Sequence, residues 1–322
     1  MRRCWSILVL AVAVVGCGGG STAESGPPRS FLSLGTAPPG GAFFVVGGAL
    51  AEVLNADADE NWNVTPEATS GSQENIRRLD TGELDFAVSN ASITYFAVRG
   101  TEGWDKAYSS RAVMTLAPNV VIFLTNADSG IRTIADLKGK RVVVGPAGAG
   151  FEYFVRPLLA AHGVTYDDFT PLNATQAASV DMLADGSAAA ALVGGAVPTA
   201  SISQASASMN LFFVPFDTEA MQGLVDGYVF FDPATIPAET YRNQMTDFHG
   251  LDVGSMHLIT SAEQDEDLVY RVTKALYEKR AQVVRRHAAG NAINPANVVR
   301  DTGTEFHPGA IRFYREIGIW PE

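Results

Sequence analysis

Cysteine is nearly missing from this chain of 322 residues, where only Cys4 and Cys17 occur. An apolar run from Trp5 to Val15, preceded by Arg2 and Arg3 and ending in a small residue at Gly16, reads as a signal peptide over residues 1–16. The run is too short to remain in a bilayer as a permanent helix. Cleavage after it removes Cys4 and leaves Cys17 alone, which excludes an internal disulfide in the mature chain. An exported domain of this size buries enough apolar surface to do without one. Positive charge is also scarce. The 23 lysines and arginines face 35 acids, a net charge of −12 that becomes −14 once Arg2 and Arg3 are gone. No basic footprint is left for nucleic acid. A small anion is still admissible, because a local nest of backbone N–H groups outweighs diffuse distant charge.

Signatures of catalysis are wanting as well. His162, His249, His257, His287 and His307 form neither a His-Glu-x-x-His arrangement nor an i, i+4 pair, so no zinc site is expected. The chain has no Gly-x-Ser-x-Gly elbow, no glycine loop ending in Gly-Lys-Ser/Thr and no Gly-x-Gly-x-x-Gly spacing. Asp167-Asp168 and the acids between Glu263 and Asp267 read as solvated surface or helix start. His307, alone before the last helix, reads as structural. The expectation is a protein that is not an enzyme and uses no metal and no cofactor.

What the chain does have is two glycine-rich turns, each leading from an apolar strand into a helix. The first is Phe31-Leu32-Ser33-Leu34-Gly35-Thr36-Ala37-Pro38-Pro39-Gly40-Gly41-Ala42-Phe43-Phe44, and the second runs from Arg141-Val142-Val143-Val144-Gly145 through Gly148-Ala149-Gly150-Phe151-Glu152. Such turns set unpaired N–H groups and the positive end of a helix dipole beside a cleft, which suits a small anion.

From Phe31 onward the pattern is α/β and repeats. The stretch Asn75–Val88 ends a helix at Gly82 and starts an apolar strand. Shifted by 104 positions, Ser179–Leu192 does the same at Gly186. Two similar Rossmann-like lobes follow from this, with the ligand between them at the carboxyl ends of the strands. Val46, Leu50 and Val53-Leu54 predict a first helix, and Ser70 with Gln73 has capping-box spacing before Ile76 and Leu79. A long periodic run from Ser261 to His287 predicts another helix, and Pro308-Gly309 opens the last. Val120–Leu124 reads as the strand entering the second lobe and Leu211–Phe216 as the strand leaving it. Pro or Gly breakers place the crossings near Ala117–Asn119 and Leu224–Gly227. The first lobe is then residues 31–117 with 226–322, and the second is 118–225. Residues 17–30 are a Gly/Ser/Pro-rich tether with a reach of roughly 20 Å.

Val14-Val15-Gly16-Cys17 resembles a bacterial lipobox, which makes Cys17 the lipidated N-terminus; the alternative is an ordinary cleavage site containing a cysteine. The blocks that follow resemble the TAXI family, the solute receptors of TRAP transporters. They include Gly35-Thr36 through Gly47-Gly48, Ala68-Thr69-Ser70-Gly71-Ser72 and Asp136-Leu137-Lys138-Gly139-Lys140. Gly195-Ala196-Val197-Pro198-Thr199-Ala200, Thr235-Ile236-Pro237-Ala238 and His307-Pro308-Gly309-Ala310-Ile311 continue the series to the end of the chain. The resemblance implies the type II periplasmic-binding-protein fold. It also implies an extracytoplasmic, periplasmic receptor, lipid-anchored to the membrane, that delivers a small organic acid (a dicarboxylate, keto acid or amino acid) to membrane permease subunits. A receptor serving a signalling partner as a sensor is the alternative.

Carried over residue by residue, the resemblance puts Gly40, Gly41, Phe43 and Phe44 of the first turn in the pocket. It adds Ser70, Gly71 and Ser72 from the next helix start, and Asn90. The second lobe contributes Gly148, Ala149, Gly150, Phe151 and Glu152, with the Val197-Pro198-Thr199 turn. N–H groups near Gly41, Ser72 and Gly150 would hold a carboxylate, and Phe43, Phe44 and Phe151 would close on the carbon skeleton. Glu152 either accepts from an amino or hydroxyl group or simply favours its helix dipole. Where the family usually has a flexible Gly-Gly-Thr-Gly-Gly and a tyrosine pair, this chain has Ala37-Pro38-Pro39-Gly40-Gly41 and Phe43-Phe44. The lost hydroxyls predict a ligand with fewer polar groups on that side than glutamate or 2-oxoglutarate. Pro157 predicts a short first turn and a kink in the helix after the second turn.

Overall fold

The computed structural model describes residues 30–322, so the leader, Cys17 and the tether up to residue 29 lie outside the described residues. The chain begins with β1 (Ser30–Gly35), α1 (Ala42–Asn55), β2 (Trp62–Glu67), α2 (Ser72–Asp80), β3 (Phe86–Asn90), α3 (Ala91–Arg99) and β4 (Ser110–Thr115). It then crosses to β5 (Val120–Asn126), β6 (Arg141–Val143), α4 (Glu152–Ala161), β7 (Thr170–Leu172), α5 (Gln176–Ala184) and β8 (Ala190–Gly195). The second lobe continues through α6 (Ala200–Ser208), β9 (Leu211–Val214), α7 (Thr218–Gly227), β10 (Phe231–Ile236) and β11 (Phe248–Val253). The chain returns in β12 (Met256–Ser261), α8 (Glu266–Glu278), α9 (Arg280–Arg286) and α10 (Pro308–Glu316).

Each lobe is built on one sheet. The first has the order β2-β1-β3-β12-β4, with β1 parallel to both neighbours and β12 antiparallel to both of its own. The second has the order β10-β11-β5-β8-β6-β7, with β9 added along β5. The central strands β3 and β8 are buried along their whole length, as strands covered on both faces must be. The sequence repeat appears in three dimensions: an offset of 104 positions carries α2 onto α5 residue for residue and the start of β3 onto the start of β8. Gly82 (φ +74°) and Gly186 (φ +76°) stop the two helices in the left-handed conformation that glycine adopts without strain.

Three expectations need correction. The second crossing does not lie at Leu224–Gly227, which is the end of α7, nor does the chain leave the second lobe after β9. The β10–β11 hairpin that follows pairs antiparallel to β5 through Leu251 with Val121 and Asp252 with Val120. The chain therefore crosses back at Gly254-Ser255, and residues up to 253 belong to the second sheet. The run from Ser261 to His287 is two helices rather than one. They meet at Lys279, whose ammonium pairs with the buried Asp57 carboxylate. Helix α4 runs unbroken from Glu152 to Ala161 with Pro157 inside it. Packing of its buried face (Tyr153, Phe154, Val155, Leu158, Leu159) outweighs the missing N–H.

One apolar cluster belongs to the first lobe alone, but the other is continuous across both. The continuity is aromatic. Trp104 of the first lobe stacks on Tyr153 of the second at 5.6 Å, and Phe96 meets Phe230 edge-on at 5.6 Å. At the hinge, Arg300, from the segment between α9 and α10, pairs with Asp232 of β10 and lies 3.4 Å from the Asp252 carboxylate of β11. Asp252 also accepts from the Asn119 backbone N–H at 2.9 Å and from the Ser255 hydroxyl. Both crossing segments are thus tied to one carboxylate.

Candidate functional site

The first turns of four helices line one cleft between the lobes, α1 and α2 on one side and α4 and α5 on the other. Three of these turns have no side-chain cap: α1 after Gly41, α2 after Gly71 and α4 after Phe151. The first N–H groups of a helix have no partner within it, and each end carries roughly half a positive charge. Away from the cleft, α7 is capped by Asp217, α8 by Asp265 and α10 by His307, while α6 and α9 also lack a side-chain cap. At the cleft the α1 and α2 starts keep open N–H groups, whereas at α4 the Tyr153 and Phe154 N–H groups already bond the Gly150 and Phe151 carbonyls at 3.1 and 3.2 Å.

The lobes meet over this cleft. A Cβ on Gly71 (φ +124°) would stand 3.3 Å from the Cβ of Ala149, and one on Gly195 would stand 3.0 Å from that of Ala42. The enclosed space is small, a cavity of about 60 Å³. Apolar groups make up most of the wall, among them Pro38, Pro39, Phe43, Phe151 and Phe154, and no ionisable side chain lines it. Glu74 stands at the outer rim beside Pro38 and Ser70. Burial pushes its pKa upward, but hydrogen bonds from Ser70 and the neighbouring Arg78 guanidinium hold it below the ordinary value. Its charge is thus matched at the rim.

Of the residues carried over from the sequence, Gly41, Phe43, Ser70, Gly71 and Ser72 line the cleft from the first lobe, with Asn90. Ala149 and Phe151 line it from the second. Asn90 is fully engaged, however. Its Oδ1 accepts from the Ser92 and Ile93 N–H groups at 2.9 and 3.3 Å, capping α3, and its Nδ2 donates to the Gly254 carbonyl at 2.7 Å. Gly40, Phe44, Gly148 and Gly150 do not line the cleft. Glu152 faces a separate hollow with Phe96 and Arg156. Val197 faces the hinge groove, and Thr199 donates its N–H to the Tyr241 hydroxyl at 2.8 Å; Pro198 lines neither. The expected Ser70–Gln73 box is replaced. Gly71 is the first flanking residue of α2, and Glu74 folds back to the Ser70 N–H at 2.8 Å.

A match to the NMT1-like family extends over residues 34–318. The chain belongs to the NMT1-like family. Among solved structures this NMT1-like protein is similar to PhnD1 from Prochlorococcus marinus, determined in complex with methylphosphonate. The two share 12% identity at a TM-score of 0.56, covering 89% of this chain and 96% of that one. A Bordetella bronchiseptica protein gives 12% identity and a TM-score of 0.56, covering 91% and 90%. A Xanthomonas citri protein bound to ATP gives 10% and 0.50, covering 90% and 96%. At such identities the likeness is one of fold, the two-lobed α/β architecture of periplasmic binding proteins.

Several wall residues of the NMT1-like protein escaped the sequence reading. Thr175 and Gln176 line the cleft at the start of α5, and the 104-residue offset maps them onto Gly71 and Ser72, so the repeat contained them. Both are engaged: Thr175 Oγ1 caps α5 through the Ala178 N–H, and Gln176 bonds Gly194 and Ser201. Asn119 had no signal beyond its place after a proline. It lies on the first crossing, is 6% exposed, and its side-chain amide has no hydrogen-bond partner among the described residues. Neither amide atom is among the fully buried unpartnered ones, so the amide faces the open space of the cleft.

Proposed function

We propose that this protein is the extracytoplasmic solute-binding receptor of a TRAP-type transporter, capturing a small organic acid between its lobes and delivering it to a membrane permease. The observation that carries the reading is the convergence of three uncapped helix starts on a closed, largely apolar cleft with no cation in its wall. Backbone N–H groups and helix dipoles are suited to a carboxylate, and aromatic walls to its carbon body. Membership of the NMT1-like family and the two-lobed fold support binding and release rather than catalysis. The ordered blocks from Gly35 to Ile311 support the TRAP assignment, and the Val-Val-Gly-Cys ending of the leader supports a lipid anchor at Cys17 on the outer side of a membrane.

Capture couples to closure because Gly71 and Ala149 touch only when the lobes are together. An acid bridging α1 and α2 to α4 stabilises that state by its contacts to both sides. A thermal-shift screen of the purified protein against small carboxylates, keto acids and amino acids tests this. A true ligand at 100 times its dissociation constant adds about 2.7 kcal/mol, a rise of several degrees in Tm. A rise with a sugar or a cation, and none with any acid, would overturn the reading.

A further inference from the structure

The geometry points to a narrower ligand class: a monoanionic acid with an apolar carbon body and one oxo or hydroxyl substituent, the substituent being read by the side chain of Asn119. This rests on the organic-acid reading above and divides the acids that reading admits.

The first consideration is charge. The helix starts bring only partial positive charge to the cleft, roughly half a charge each and divided between its two sides. That suits one carboxylate held by backbone N–H groups, and no lysine, arginine or histidine lines the wall to anchor a second. A dicarboxylate would bury its second charge without a cationic side chain to pair it. An amino acid fares no better, because its ammonium meets no carboxylate; Glu152 faces a different hollow and Glu74 is paired at the rim. Buried unpaired ions are strongly disfavoured.

The second consideration is which polar groups remain open. Asn90, Thr175 and Gln176 already hold protein partners. Asn119 is more than nine-tenths buried, lines the same cleft, and has neither its carbonyl nor its NH2 matched. An amide accepts from a hydroxyl and donates to an oxo group, so it serves either substituent. Apart from the Ser70 and Ser72 hydroxyls at the α2 start, the wall meets the rest of the guest largely with the apolar faces of Pro38, Pro39, Phe43, Phe151 and Phe154.

Titration calorimetry on the purified protein with four matched acids decides the matter. 4-Methyl-2-oxopentanoate is expected to bind at least 100-fold more tightly than leucine, which replaces the oxo group by an ammonium, and than 2-oxoglutarate, which adds a carboxylate. 4-Methylpentanoate, lacking the oxo group, is expected to bind about 10-fold more weakly than the oxo acid. In Asn119→Ala that 10-fold gap closes, while 4-methylpentanoate keeps its wild-type affinity and so reports an intact site. Leucine or 2-oxoglutarate binding as tightly as the oxo acid overturns the narrower class and leaves the organic-acid receptor standing. An undiminished gap in Asn119→Ala removes Asn119 from the reading. Should that variant fail to fold, Asn119→Ser repeats the comparison, and the ligand series on the unaltered protein decides the charge argument by itself. Failure of all four acids, together with failure of every acid in the thermal screen, counts instead against the parent reading.

Discussion

Gly71→Val weakens binding of 4-methyl-2-oxopentanoate more than 100-fold and lowers folding stability by about 1–3 kcal/mol. The stability loss is local. Gly71 sits at φ +124°, ψ −159°, a region in which a side chain is strained whatever space surrounds it. The binding loss has a different origin, because a Cβ there already stands 3.3 Å from the Ala149 Cβ on the opposite lobe. Valine's two further methyl groups have nowhere to go unless the lobes part, and parting them separates the α2 start from the α4 start. Gly71→Ala imposes the same backbone strain with far less bulk, so comparing the two by calorimetry and urea unfolding separates strain from obstruction. Equal affinity in Gly71→Val and wild type would mean that the lobes need not touch at this point during capture.

Acid weakens this protein through His257. The imidazole is fully buried, its Nε2 is 2.8 Å from Thr94 Oγ1, and its Nδ1 has no partner. Burial lowers its pKa from 6.5 to about 3. The unfolded chain therefore takes up a proton that the folded one refuses, and stability is lost as pH falls from about 6.5 toward 3. Between pH 7 and pH 4.5 this amounts to about 3 kcal/mol. Asp252 acts in the opposite sense, since burial raises its pKa from 3.8 to about 6 against hydrogen bonds from Ser255 and Asn119. It favours the folded state progressively as pH falls through that window. The comparison of wild type with His257→Gln cancels the Asp252 contribution. Urea unfolding across pH 4.5–7 is expected to show the variant about 3 kcal/mol less sensitive to acid, and parallel curves would refute the assignment.

Much of the architecture was legible where it depended on local chemistry. Gly82 and Gly186 announced two helix ends and two buried strands at one offset, and both units fold as that offset requires. The second crossing was hidden because it depends on a distant pairing. Gly227 resembles a boundary, whereas the hairpin after it is claimed by β5, more than a hundred residues earlier in the chain. Within the site, the turn at Gly41 could be read from its glycines, whereas the Ser70–Gln73 spacing suggested a capping box at the α2 start that does not form. The direction of Glu152 could not be read, because it depends on how α4 rolls to bury Tyr153 and Phe154. Asn90 shows the same limit. Its position at a strand end is compatible with a ligand contact, yet folding uses its amide to start α3 and to fasten Gly254.

The aromatic seam has a practical outcome. Trp62 and Trp320 pack within the first lobe, whereas Trp104 lies face to face with Tyr153 of the second. Any movement that widens that flank pulls an indole off a phenol and alters its emission. The molecule thus has a built-in optical gauge of opening, readable in a stopped-flow cell without attaching a dye.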